Sequence, residues 1–233
     1  MKKPQLLLAI IFIVSLVSFS TIVQAQTAGP SDATTAPPAT AAAVAKVYCS
    51  GSTITLTGPQ DATLIPVADY ATYNWYKLDA GGNPVLVAGQ TGKTYTETST
   101  TAGYYNYELV TINANGCSSP VSTELQVYVL PPLSTTITTS SASVCTGSTA
   151  TPTLTANPTP ATPYALNYQW TLAGVNIPGA TSSTYTVPVD NTAETLSYGV
   201  TVTYALNPAC GPATATQSII INPLPTKPTI TAN

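Results

Sequence analysis

Few residues in this 233-residue chain can do chemistry: it has no histidine and no arginine, only six lysines, nine carboxylates and four cysteines. Acid–base or nucleophilic catalysis would rest on those acids and on hydroxyls, and no two acids stand at a spacing that suggests a cleft. Asp61, Asp69 and Asp79 are oxygen donors suited to calcium, but they lack a DxDxDG-like spacing and read as solvated loop acids. The Gly81-Gly82 pair reads as a turn, because no helix and no Lys-Ser/Thr follows to cradle a phosphate. The expectation is therefore a protein that is not an enzyme, with no cofactor and no metal site. Thiol chemistry remains. Cys49, Cys117, Cys145 and Cys210 stand alone, without the CxxC or histidine partners of a zinc site.

The elements that must position these cysteines repeat. Cys49, Trp75, Gly89, Tyr95 and Cys117 recur as Cys145, Trp170, Gly179, Tyr185 and Cys210, at offsets of roughly 95 residues. A unit of that length is a whole small domain, and two Cys…Trp…Cys units rich in Thr and Tyr point to tandem immunoglobulin-like β-sandwiches. Of the three possible connectivities, Cys49–Cys117 with Cys145–Cys210 is the one that keeps each repeat self-contained. Closing the first loop would stabilise its domain by roughly 4 kcal/mol on the chain-entropy model.

The compartment follows from the first residues. Met1-Lys2-Lys3, the apolar run Leu6 to Val17 and the small-residue site Val23-Gln24-Ala25 read as a secretory signal peptide over 1–25, cut between Ala25 and Gln26. An uncleaved anchor is the alternative, and the short apolar run with its Val-x-Ala site argues against it. No Cys follows to accept a lipid, and no second run has membrane length, so the cleaved chain should not insert in a membrane. The predicted location is secreted or at the cell surface, where disulfides persist. The cleaved chain keeps four lysines against nine acids, a net charge of −5. It lacks the cations that nucleic acid or an anionic membrane surface requires. With charged residues at only 6%, Thr, Ser and Asn must supply solubility.

Along the chain, 26–42 is rich in Pro, Ala and Thr and reads as a disordered linker. Period-two alternation begins at 44–48 and continues in Thr53-Ile54-Thr55-Leu56-Thr57. Tyr73 to Leu78 is a strand, 79–84 a turn, and Val85 to Val87 pairs back. The matching segments 88–96 and 178–186 each place a Gly turn before Thr-Tyr-Thr. The last strand pairs are 105–112 with 125–130 and 198–204 with 219–221. Outside the leader no stretch shows helical periodicity, so the fold class is all-β. Proline pairs close the units, giving domains at 43–132 and 133–225. Residues 226–233, which align with the start of domain two around Ile137, read as the start of a third repeat or a C-terminal tail strand.

At Cys145-Thr146-Gly147-Ser148, Tyr168-Gln169-Trp170, 177–185 and the closing Pro-Leu-Pro-Thr-Lys-Pro-Thr-Ile, the sequence resembles the immunoglobulin-like repeats of secreted and surface proteins of Bacteroidetes-type bacteria. In domain one Cys49-Ser50-Gly51-Ser52, Asn74-Trp75-Tyr76 and Asn115-Gly116-Cys117 carry the same resemblance. It implies spacers or adhesive modules of larger surface proteins. The pattern departs from antibody domains at Gly103-Tyr104-Tyr105-Asn106-Tyr107. Tyr105 stands as a tyrosine-corner candidate and Tyr107 in the place of the second Cys, with Tyr198-Gly199-Val200 as the counterpart. Each real Cys lies ten residues later, which puts the disulfide at a rim of the sandwich rather than beside the core Trp.

Trp75, Trp170, Tyr105 and Tyr198 are the expected core aromatics. Tyr70, Tyr76 and Tyr104 are candidate ligand-binding residues, since Tyr offers an apolar face with a hydrogen-bonding tip. The functional expectation is a non-catalytic, exported structural or adhesive module that meets a protein or glycan at the bacterial surface. A carbohydrate-binding protein using exposed Tyr is one alternative. The other is a self-assembling subunit that adds its tail strand to a neighbour's sheet edge.

Overall fold

The computed structural model describes residues 29–231, so the expected leader over 1–25 lies outside the described residues. Nine strands build the first domain: β1 (Lys46–Cys49), β2 (Thr53–Thr57), β3 (Gln60–Asp61), β4 (Ala68–Asp69), β5 (Thr72–Leu78), β6 (Pro84–Leu86), β7 (Thr94–Thr98), β8 (Gly103–Ile112) and β9 (Leu125–Leu130). Eight build the second: β10 (Ser134–Thr139), β11 (Ser143–Cys145), β12 (Thr153–Thr159), β13 (Leu166–Leu172), β14 (Val175–Asn176), β15 (Thr184–Thr186), β16 (Glu194–Tyr204) and β17 (Ala213–Asn222). The period of two decides which residues go inside: in β2 Ile54 and Leu56 are buried while the three threonines between and beside them are exposed. The one helical element among the described residues is a single turn at Ala41–Ala43. None is long and apolar enough to cross a membrane.

Each domain is a sandwich, and the two have the same larger sheet. In the first its order is β1-β9-β8-β5-β6 and in the second β11-β17-β16-β13-β14, with the first-named strand parallel to its neighbour in both. The facing sheets differ. Domain two has β10-β12-β15, whereas domain one has only β2-β7.

The two cores share the same central contacts. Trp75 donates its indole N–H to the Gly92 carbonyl at 3.0 Å and Trp170 to the Ser182 carbonyl at 2.9 Å. Trp75 stacks on Tyr95 at 5.8 Å and Trp170 on Tyr185 at 6.0 Å. The next contact outward is Tyr95 to Tyr107 in one and Tyr185 to Tyr198 in the other. Each buried indole thus keeps its polar edge bonded while its rings fill the space between sheets. This register makes Tyr198 the counterpart of Tyr107, a two-residue correction to the parallel with Tyr105 drawn from sequence. Tyr105 is the tyrosine corner: its hydroxyl donates to the Thr101 carbonyl at 2.8 Å and also meets Ser99.

One terminal segment differs from expectation. From Gly29 on, the stretch read as a disordered linker is a strap across the outside of β8. Asp32 bridges to Tyr104, Ser31 Oγ donates to the Leu78 carbonyl at 2.6 Å, and the Tyr104 hydroxyl donates to the Ala36 carbonyl at 2.9 Å. Two threonine backbone and side-chain donors, from Thr35 and Thr34, hold the Asp32 carboxyl well below the usual carboxylate range. Composition missed this because the strap is held by backbone and hydroxyl bonds, not by large apolar residues. At the other end, residues 223–231 form no strand within the chain and are exposed throughout.

The strap lies so close to Gly103 that a Cβ there would sit 2.5 Å from the Asp32 carbonyl oxygen, and its φ is +142°. Gly103→Ala should therefore release the strap: hydrogen exchange at Ser31 and Asp32 is expected to rise at least tenfold, with the Trp75 core unchanged.

Candidate functional site

The structure pairs Cys49 with Cys210, Cα–Cα 5.0 Å, and leaves Cys117 and Cys145 as exposed thiols. This corrects the self-contained pairing. Cys49 is level with Leu130 at the end of β9, whereas Cys117 lies before that strand starts. Six residues of strand span about 20 Å, while a disulfide bridges Cα atoms no more than ~7 Å apart. Cys145, level with Asn222, is likewise a whole β17 away from Cys210. The first cysteine of each repeat thus sits at one pole and the second at the other. The bond joins the first cysteine of repeat one to the second cysteine of repeat two. The signal was in the sequence: the second cysteine lies ten residues past Tyr107 in domain one and twelve past Tyr198 in domain two, in the hairpin beyond the long strand.

That disulfide lies in an apolar joint between the domains. Val44, Val47, Tyr104, Tyr128 and Leu130 from domain one pack with Tyr204 and Cys210 from domain two, and Tyr164, Leu166 and Leu206 close the edge. Tyr104 meets Tyr128 edge-on at 4.8 Å, and Tyr164 meets Tyr204 at 5.3 Å. Three polar ties cross the joint: Tyr204 donates its hydroxyl to the Pro131 carbonyl at 3.1 Å, Asn207 donates to the Val47 carbonyl at 2.9 Å, and the Tyr128 and Tyr164 hydroxyls meet at 3.4 Å. Burial pushes the Tyr204 hydroxyl up to about 12, with Tyr164 beside it adding to the shift. Burial also raises Tyr128 strongly. Both are neutral tethers rather than acids or bases. A cross-link over a sequence separation of 161 removes chain entropy equivalent to roughly 5 kcal/mol.

The buried charge cluster of domain one was not foreseen. Lys77 donates to both carboxylate oxygens of Glu97 at 3.0 and 3.1 Å, and the Tyr95 and Tyr107 hydroxyls donate to Glu97 at 2.5 and 2.6 Å. The Lys77 ammonium also sits 4.7 Å above the Tyr105 ring. Burial, and then the Glu97 charge, drive the Tyr107 hydroxyl far above the ordinary tyrosine range. Every partner is engaged inside the core, so the cluster is arranged for packing rather than for turnover. Domain two places Leu172 and Val187 at the same positions, packed in an all-apolar core. One fold thus solves the same layer with an ion pair and with two aliphatic side chains.

The other predicted site residues are dispersed. Trp75, Trp170, Tyr105 and Tyr198 are in the cores. Of the candidate ligand-binding tyrosines, Tyr104 is buried under the strap, Tyr70 packs edge-on to Tyr73, and Tyr76 is half-exposed on β5. Tyr70 and Tyr104 stand at opposite ends of the β5–β8 ladder, so the three form no common platform. The loop acids separate too. Asp61 is buried and accepts from both the backbone and hydroxyl of Thr63, a correction to its reading as a solvated acid. A hydrogen bond from Lys93, then one from Gln60, holds the Asp69 carboxyl below its usual range, and the Asn83 backbone does so for Asp79. Among the described residues no three potential metal ligands cluster.

A groove follows from the missing strand. Beside the outer edge of β2, where domain two carries β10, domain one has a groove of about 850 Å³ with Leu56, Gly58, Trp75, Tyr107 and Leu109 in its walls and Ala42–Lys46 along one side.

Two sandwiches with this topology define an immunoglobulin-like tandem protein. Residues 37–131 match the family described as Ig-like domain CHU_C associated. No curated protein matches the sequence. Among solved structures, the Clostridium thermocellum CbhA fibronectin(III)-like modules are similar at 13% identity, with 85% of this chain and 99% of that chain covered and a TM-score of 0.40. The N-terminal eight Ig domains of Down Syndrome Cell Adhesion Molecule isoform 1.30.30 are similar at 19% identity, covering 76% of this chain and 25% of that one, with a TM-score of 0.37. The N-terminal four Ig domains of Dscam1 isoform 1.9 give 16% identity, 76% and 42% coverage and a TM-score of 0.36. This chain spans less than half the length of both Dscam structures.

Domain two supplies the control for the buried ion pair. Removing one partner strands a buried charge and should cost about 3–5 kcal/mol, whereas replacing both by aliphatics is often neutral. Lys77→Leu or Glu97→Val alone should destabilise domain one by that amount in chemical denaturation, and the double variant should recover most of the loss.

Proposed function

We propose that the chain is a non-catalytic, exported module that holds two immunoglobulin-like domains in one fixed arrangement at the bacterial surface, as a structural spacer or adhesive arm. The observation that carries this reading is the joint. Flexible linkers are the default between domains, and here a disulfide, an aromatic cluster and two side-chain-to-backbone bonds replace one. A joint of that kind transmits position or tension from one end to the other. An interdomain disulfide also suits an oxidising compartment, in agreement with the leader-like sequence over 1–25. The low charge and the Thr-rich exposed faces are compatible with a protein that works by shape.

The test is made in the native host. Protease applied to intact cells, together with the mass of the recovered chain, should show a surface-exposed or released protein starting at Gln26 with Cys49 and Cys210 oxidised. A cytoplasmic chain that retains Met1, with all four thiols reduced, would overturn the proposal.

A further inference from the structure

The internal joint has two unused halves. In the repeat register Cys145 corresponds to Cys49 and Cys117 to Cys210, and both are exposed thiols at opposite poles of the molecule. A second, independent pair of halves lies beside them. In domain two, β10 pairs with β12 so that Ile137 faces Ala156 and Thr138 faces Thr155, and Ile137 packs on the core. The register of β2 with β7 and of β12 with β15 makes Gly58 the counterpart of Ala156, and Thr57 that of Thr155. No strand covers that edge among the described residues, and the groove opens there. In the repeat alignment the residues matching β10 are Pro37 to Ala43, which hold no side chain larger than Pro or Thr, and Ala41 aligns with Ile137. Meanwhile Thr229-Ile230-Thr231, which repeats Thr136-Ile137-Thr138, is unpaired, with Ile230 95% exposed.

We infer that copies of this chain join head to tail by rebuilding the internal joint between molecules. Residues 226–231 of one copy lie along β2 of the next, with Ile230 opposite Gly58 and filling the groove beside Trp75 and Leu109, and Cys145 of the first copy bonds to Cys117 of the second. Main-chain pairing gives the strand its affinity and the Ile pocket its register. The interface is heterologous, so it propagates as a filament rather than closing as a dimer.

The covalent step uses a small-molecule disulfide as oxidant. The Cys145 thiolate attacks it, releasing one thiol and forming a mixed disulfide. The Cys117 thiolate of the next copy then displaces the second thiol, so two protein thiols are oxidised and one disulfide is reduced to two thiols. The polar residues at the new joint make this bond necessary: Asn113 and Ala71 stand where the internal joint has Tyr204 and Leu166. Apolar burial there is weak, and copies kept reduced should stay apart.

The experiment uses the chain from Gln26 to Asn233 as Cys117→Ser and Cys145→Ser variants, incubated with oxidised glutathione and followed on non-reducing gels. Each variant alone should remain monomeric and the mixture should give one dimer, cross-linked Cys145 to Cys117 by peptide mapping, while the unmodified chain gives a ladder. Placing Ile230→Asp in the variant that retains Cys145 should slow dimer formation at least tenfold with an unchanged Tm, since Ile230 is 95% exposed. Single variants that dimerise as fast as the mixture would show indiscriminate thiol oxidation and overturn the proposal, as would an Ile230→Asp rate equal to that of the parent.

Discussion

The Cys49–Cys210 bond sets the relation between the two halves of this molecule, and much else is placed by it. It is possible because each repeat carries its first cysteine at the pole where the next domain attaches and its second in the hairpin at the opposite pole. Around the bond, the residues that face outward on β8 and β9 become interior. Tyr104, Tyr128 and Leu130 would be surface side chains on an isolated sandwich; here the strap and domain two cover them. The polar edge of the same cluster is satisfied through Tyr204 and Asn207, which bond to backbone carbonyls across the joint. An apolar patch with every buried polar group bonded is well suited to one geometry and poorly suited to sliding.

Within each domain the controlling device is the Trp–Tyr–Tyr stack with a bonded indole, repeated at nearly the same distances in both cores. What surrounds it is free to vary. Domain one embeds Lys77 and Glu97 beside the stack and ties them to two tyrosine hydroxyls; domain two uses Leu172 and Val187. The ion pair is thus not required by the fold. Its geometry, with all hydrogen-bonding capacity directed inward, gives specificity of packing rather than reactivity.

The fold was legible in the sequence because its signals are local or periodic. The alternation in 53–57, the Trp spacing and the Gly turns before Thr-Tyr-Thr each report a strand or a loop without reference to anything distant. The disulfide was not legible from the rule that each repeat closes on itself, since that rule ignores how far apart the two ends of a strand are. The strap was hidden for a different reason. Its Ser, Asp and Pro residues have the composition of a linker, and what orders them is hydrogen bonding to a strand some seventy residues away. Lys77 and Glu97 were missed because charged residues in a strand normally face solvent, and only the facing tyrosines make burial acceptable. The candidate ligand-binding tyrosines failed as a group because residue type gives the chemistry of a surface, whereas the strand register decides which members share it.

The central claim is tested most directly by mapping the disulfide in the oxidised chain. Chymotrypsin is the suitable protease, because Tyr48, Tyr107, Tyr128, Tyr164 and Tyr204 separate all four cysteines into different fragments. Digestion of the denatured, alkylated protein without reduction should link the Cys49 fragment to the Cys210 fragment, with the Cys117 and Cys145 fragments either alkylated or linked to each other. Fragments linking Cys49 to Cys117 and Cys145 to Cys210 would contradict it, and would return the two domains to a flexible tether.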